Sequence, residues 1–307
     1  MIATKYLTEY IKSVCKNSLN NHNLSNQLTI DLVVSGGVLN YSYGFGTILY
    51  LKELQSQNKI QINKVSGTSS GSVLAMLALC DNTTDIDELY TQLKDHFREN
   101  GNLSILKHVI ESIVYKCIKN DTHAKSLSDK LFISTTDMKK STQKVICNYT
   151  TRNDIVEAIF SSCFIPFITD GHSRYNSIYI DGVAPYIFKN NTTKTIYINL
   201  VNTSIIRNMF VTNGEVNPQY RVIEGVVETA KFFNEGRSCM CSWINDWTLL
   251  DFISQRFFYL CMIIMATLVE TIYNLNIPIS VKNNFMYKSI FNCSCNIVND
   301  YVFLSFI

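Results

Sequence analysis

Apolar positions along this chain switch between β-branched runs and helically spaced clusters, and that switching predicts most of the elements. Leu28 to Val34 is a β-branched and aliphatic run closed by Ser35-Gly36-Gly37, which reads as a buried strand followed by a glycine turn. From Gly46 the apolar residues Ile48, Leu49, Leu51 and Leu54 fall at helical spacing. A second strand over about Ile60–Val65 runs into Ser66-Gly67-Thr68-Ser69-Ser70-Gly71, and Val73 to Leu79 continues as a buried helix. Strand, helix, strand, helix implies a right-handed crossover and parallel pairing.

Residues 83–118 carry two amphipathic patterns, with Thr84 or Asp85 as N-cap of the first. Strands are expected at Leu131–Ser134 and Lys144–Asn148, and a helix over Asp154–Cys163 that Pro166 stops. Ser177–Ile180 reads as a short strand entering Asp181-Gly182-Val183. Thr195–Val201 has the apolar density of a central strand. Helices follow over Tyr220–Asn234 and 249–274. These elements predict a single three-layer α/β/α domain with a mostly parallel sheet over residues 29–275. Residues 1–28 form a polar, Asn-rich extension with a helical opening, and 276–307 a C-terminal segment packed on the same domain.

Phe257 to Val269 is an apolar stretch of 13 residues between Arg256 and Glu270. It is short of the ~20 residues that cross a bilayer. A helix buried on the sheet is the expectation; an in-plane membrane anchor is the alternative, and its aromatic residues could instead line an acyl groove.

Composition narrows the partners. With 47% hydrophobic and 17% charged residues the chain buries a sizeable core, which excludes a disordered protein. The net charge is only +2 and Lys and Arg do not cluster, so nucleic acid is not an expected partner. The opening MIATKYLTEYIKSV lacks the apolar core of a signal peptide. The ten cysteines are therefore expected to be reduced thiols in the cytoplasm. The pairs Cys239/Cys241 and Cys293/Cys295 lack the C-x₂₋₄-C spacing of structural zinc sites, so neither metal nor cofactor is expected.

The chemistry starts at Gly67-Thr68-Ser69-Ser70-Gly71, a G-x-S-x-G pattern between an apolar strand and an apolar helix. Glycines two residues either side of Ser69 permit the sharp turn that exposes a nucleophilic hydroxyl above a sheet. The helix that begins there favours the negative charge of acyl transfer.

With three further segments, the chain resembles the patatin-like phospholipases over most of residues 29–190. Val33-Val34-Ser35-Gly36-Gly37, Gly46 and the helix Tyr50 to Leu54 are similar to that family's oxyanion loop and first helix. Ala158 to Pro166 resembles its A-x-x-A-S-x-A-x-P helix end, and Tyr179-Ile180-Asp181-Gly182-Val183 the strand end bearing its Asp-Gly motif. The resemblance implies a Ser–Asp dyad: Ser69 attacks a lipid acyl ester and Asp181 takes its proton. It also implies an oxyanion hole of Gly36, Gly37 and Ser70 N–H groups, and Gly67, Gly71 and Gly182 as supporting positions. Phospholipid or another acyl-ester lipid is then the partner, with peripheral membrane contact.

The family's oxyanion loop reads D/S-G-G-G-x-R/K-G. Here Val38 stands for the third glycine, Asn40 for the basic residue and Tyr41 for the last glycine. Val183 replaces the small residue after Asp-Gly. Asn40 retains an amide donor without charge. Losing one oxyanion donor costs on the order of 10²–10³ in rate, so a catalytically impaired lipid- or protein-binding scaffold is one alternative. A triad of Ser69 with His172 and Asp137 or Asp154 is the other, being in the chain order of α/β-hydrolases.

Overall fold

The computed structural model describes residues 2–17, 27–81, 86–188, 193–202, 205 and 219–274. Among the described residues seven strands form one mixed sheet: β1 (Leu28–Val34), β2 (Ile60–Thr68), β3 (Leu131–Asp137), β4 (Thr142–Ile146), β5 (Tyr179–Ile180), β6 (Lys194–Ile198) and β7 (Cys241–Trp243). The order is β4-β3-β2-β1-β6-β7, with β5 also on β3. The central run β3-β2-β1-β6 is parallel, as crossover connections require. The edge pairings β3–β4 and β6–β7, and the short pairing β3–β5, are antiparallel.

Alternation along β1 explains the layers. Ile30, Leu32 and Val34 are fully buried on one face, against the main core, each worth roughly 1.5–3 kcal/mol in burial. That face carries α2 (Tyr41–Ser56), α3 (Ser70–Leu79), α7 (Arg152–Ser162) and α8 (Gln219–Glu235). The helix α1 (Ile2–Asn17) packs on α2, buries Ile11 and Cys15, and receives Lys59 Nζ on its Cys15 carbonyl at 2.8 Å. Outside α7 lies α5 (Leu106–Cys117), next to α4 (Ile86–Asn100); a short α6 (Asp121–Ser126) leads to β3.

Val33 points to the other face, with Tyr197 and Ile244. This second layer is thinner. Tyr186 stacks on Phe132, Phe188 meets Phe132 edge-on at 5.2 Å, and Trp247 meets Tyr197 edge-on at 4.8 Å. α9 (Leu249–Asn274) completes it.

The expected α/β/α architecture is present, with one marked departure at α9. The apolar run is longer than 257–269: Leu249–Leu268 is long and apolar enough to cross a membrane by length and composition. Among its described side chains Ile263 alone is buried and most of the others are exposed, in contrast to the expected buried helix. α2 also begins at Tyr41, five residues before the predicted start, because the 3₁₀ turn Val38–Asn40 feeds directly into it. The predicted C-terminal segment 276–307, with Cys293 and Cys295, and the Thr84 or Asp85 cap lie outside the described residues.

Candidate active site

β2 leaves the sheet at Thr68, and α3 starts at Ser70, so the whole reversal falls on Ser69. Its backbone sits at φ 52°, ψ −136°, a conformation that costs a non-glycine residue about 1–3 kcal/mol. Glycine at 71 is what permits the reversal, since a Cβ there would stand 2.3 Å from the Ser35 carbonyl oxygen. Gly67 is packed against the backbone of Gly71 from the other side.

Ser162 holds the strained residue. Its hydroxyl accepts the Ser69 N–H at 2.8 Å and donates to the Ser134 carbonyl at 2.6 Å; its own carbonyl accepts the Gly182 N–H at 3.2 Å. One fully buried serine thus joins the nucleophile, β3 and the residue after Asp181.

Asp181 arrives through a shared lane beside β3. β2 pairs with β3 up to Thr68–Ser134 and then turns away. β5 enters the vacated lane from the opposite direction, pairing Tyr179 with Asp137 and Ile180 with Thr136. The next residue therefore runs head-on towards Ser69. Gly182 must be glycine there, because a Cβ would lie 2.0 Å from the Ser134 oxygen and 2.2 Å from Thr68 Oγ1. The Asp181 N–H donates to the Phe164 carbonyl at 2.7 Å, and Asp181 Oδ1 accepts the Val183 N–H at 2.8 Å.

Burial pushes the Asp181 carboxyl up to about 6 from its ordinary 3.8, while hydrogen bonding from the Ser69 side chain and the Val183 N–H pulls the other way. The residue keeps some surface, but its carboxyl is enclosed closely enough for desolvation to dominate. Its base strength thereby approaches what proton transfer near neutrality needs.

The oxyanion turn differs in detail from expectation. Gly36 lies against the Ser69 side chain. The Gly37 N–H, however, donates to Ser70 Oγ at 3.1 Å, so one predicted donor is already engaged. Asn40 offers nothing to an oxyanion: its amide donates to the Leu200 and Ile205 carbonyls at 2.8 and 2.9 Å. Arg221 of α8, buried, donates to the Leu39 carbonyl at 3.2 Å and holds the turn from behind.

The triad partners are used elsewhere. The His172 side chain is 77% exposed and 3.2 Å from Asp170. Asp137 accepts the Lys139 and Lys140 N–H groups in the β3–β4 turn, and Asp154 caps α7.

Ser69 and Ser70 line a cleft of about 690 Å³, mouth included. Its walls are almost wholly hydrocarbon: Val38 and Leu39 on one side, Leu93 of α4, and Leu106, Val109, Ile110 and Ile113 of α5. No described residue of α9 lines it, so the alternative in which the aromatic residues of that helix line an acyl groove does not hold for this cleft. Among the described residues no cluster of His, Cys, Asp and Glu could hold a metal ion.

The family model of the patatin-like phospholipases matches residues 32–194, more than half of the chain. The chain belongs to the patatin-like phospholipase family. It is also 26% identical over 132 residues to the human omega-hydroxyceramide transacylase, and 25% over 138 residues to the mouse protein. Those stretches cover 40% and 42% of this chain but only 24% and 22% of the two relatives, so it spans a minor part of their length. Against the family pattern, the substitutions at Val38 and Val183 leave the backbone bends in place: φ is 47° at Val38 and 58° at Val183. The family is one of lipid-acting enzymes.

Proposed function

We propose that this protein hydrolyses acyl esters of lipids, phospholipids among them, with Ser69 as nucleophile and Asp181 as general base. The observation that carries this reading is a strained, buried serine that lines a hydrocarbon-walled cleft and meets a desolvated carboxyl. The acyl chain lies in the cleft, and its carbonyl carbon comes to Ser69 Oγ. As Oγ attacks, its proton passes to Asp181, and the carbonyl oxygen gains the charge. Gly36 and Ser70 N–H groups and the N-terminus of α3 stabilise that charge; Gly37 joins them when it releases Ser70 Oγ. Collapse breaks the ester bond, and the leaving alkoxide takes the proton from Asp181. Water then attacks the acyl–serine, gives a proton to Asp181, and Ser69 recovers it as the acid departs.

The omega-hydroxyceramide transacylases among its relatives favour a second reading, in which an alcohol rather than water receives the acyl group. Adding a long-chain alcohol to the ester assay separates the two by product. The cysteines, eight of them free thiols among the described residues, suit a reducing cytoplasm, and we place the protein there at lipid surfaces.

The test is fluorophosphonate labelling and ester hydrolysis by wild type, Ser69→Ala, Asp181→Ala and His172→Ala. Ser69→Ala should lose labelling and on the order of 10⁴-fold or more of turnover, and Asp181→Ala on the order of 10²–10⁴-fold, while His172→Ala stays within twofold. A requirement for His172 overturns the dyad. A wild type silent in both assays means that the engaged Gly37 donor and the lost amide of Asn40 have ended catalysis, leaving a lipid-binding scaffold.

A further inference from the structure

α9 exposes more hydrocarbon than any other described element. At about 100° per residue, Leu249, Ile253, Phe257, Leu260 and Ile264 fall within an arc of about 80°. Each is between 48% and 74% exposed. Leu250 and Leu268, also exposed, border that arc, whereas the exposed Phe258 and Met262 lie across the helix from it. Asp251 and Arg256 are the charged residues of Leu249–Leu268. A contiguous apolar surface of this size on one helix marks an interaction site.

The inner stripe of the same helix fixes its orientation. Gln255 Oε1 accepts the Tyr197 hydroxyl of β6 at 3.2 Å, and Tyr259 comes beside Thr136 of β3. Ile263 is buried, and Glu270 pairs with Arg174 at 2.5 Å with both side chains largely covered. These contacts run over about 22 Å of helix and hold it flat against the domain. A membrane span would have to break all of them. Tyr197 and Thr136 are the penultimate residues of β6 and β3, so α9 crosses the sheet at the end where Ser69 and Asp181 stand.

A second copy of the chain fits the surface less well. A seam about 30 Å long and one helix face wide buries several hundred Å², below the ~800 Å² per partner of stable interfaces. Immersion covers the whole stripe with Leu250 and Leu268 at one edge, and lets Arg256 at the other edge reach lipid headgroups from the side.

We propose that α9 lies in the plane of a lipid surface, its outer apolar face immersed among acyl chains and its inner stripe held on the domain, so that the cleft opens next to the lipid from which it draws substrate. This rests on the lipid reading of the site above, but its test does not depend on turnover.

Full-length Ser69→Ala, which leaves lipid intact, is mixed with sucrose-loaded vesicles of phosphatidylcholine, with and without one-fifth phosphatidylserine, and sedimented. The same chain carrying Phe257→Glu and Ile264→Glu is compared with a charge-matched control, Gln61→Glu and Thr122→Glu, at exposed sites away from α9. The expected result is vesicle binding by Ser69→Ala and the control, and at least tenfold weaker partitioning by the α9 variant at an unchanged melting temperature. Bound protein should wash off in alkaline carbonate, and hydrolysis of a water-soluble short-chain ester in the Ser69 background should stay within twofold. Four results overturn the proposal: no vesicle binding by Ser69→Ala; equal binding by all three; carbonate-resistant protein, which means a span; or a dimer that the α9 substitutions split. A lowered melting temperature in the α9 variant also counts against it, since the face is then covered by the chain itself. Failure of the catalytic reading shows separately, as loss of fluorophosphonate labelling in the wild type.

Discussion

Three turns meet at this site, and the nucleophile turn treats backbone strain in the opposite way to the other two. At the nucleophile turn the left-handed residue is Ser69, glycines flank it, and the strain places a hydroxyl. At the oxyanion turn and behind Asp181 the left-handed residues are Val38 and Val183, β-branched side chains in a conformation that strongly disfavours them. Neither valine has reactive chemistry to offer for that cost. Both bends persist because their surroundings define them. Asn40 ties its turn to Leu200 and Ile205 while Arg221 holds Leu39, and the Asp181 carboxylate accepts the Val183 N–H. A backbone held by buried hydrogen bonds can thus outlast the glycine that ordinarily makes it easy.

The sharpest way to probe the contrast is Asp181→Asn, which should lower turnover on the order of 10²–10⁴-fold and raise stability together. The folded carboxyl keeps its proton up to about pH 6 and the unfolded one only to about 3.8, so the native state binds more protons between those values. Stability therefore falls as pH rises through that window, and the ionised carboxylate costs about 3 kcal/mol at pH 7. Thermal unfolding should show the variant ahead of wild type at pH 7–8 and level with it below pH 3.8. In the wild type, kcat/KM should fall away below about pH 6, where the base is protonated.

Gly182→Ala attacks the same side sterically. Its methyl collides with the Ser134 oxygen, so turnover should drop about 10²-fold as Asp181 is displaced, a loss that a 1 Å misplacement explains. Ser162→Ala strips the partner from the Ser69 N–H and should cost about 1–3 kcal/mol by chemical denaturation, with kcat falling and KM unchanged. The smallest effect is the most direct test of the comparison. Val38→Gly and Val183→Gly each relieve about 1–3 kcal/mol of strain and give back about 1 kcal/mol in unfolded-chain entropy, so melting temperatures should hold or rise by a few degrees. A marked loss of stability in either would mean that valine packing, not hydrogen bonding, holds the bend.

Much of this was legible along the chain, because the elements that carry the site are local. The run from Leu28 to Gly37 and the Ser66–Leu79 segment announce their strand, turn and helix by period and glycine placement. What escaped depends on contacts distant in sequence. Ser162 lies inside the Ala158–Pro166 segment, yet its bond to Ser69 spans 93 residues and leaves no periodic trace. Leu106, Val109, Ile110 and Ile113 had helical spacing, but spacing does not say which side of α5 faces a cleft. Asn40 looked like a donor for substrate and proved to be a fastener for a loop 160 residues away. α9 misled because apolar composition predicts burial, and only the sheet's limited width shows that a single stripe of the helix can be covered.

The lane that β2 and β5 share has a kinetic consequence. β2 is nine residues long and paired on both sides, whereas β5 has two residues and one partner strand. Opening of a short edge segment takes far less free energy than global unfolding. Amide protons of residues 179–183 should therefore exchange with deuterium well before those of 65–68, through a native-like state that keeps its nucleophile formed while its base has swung out of register.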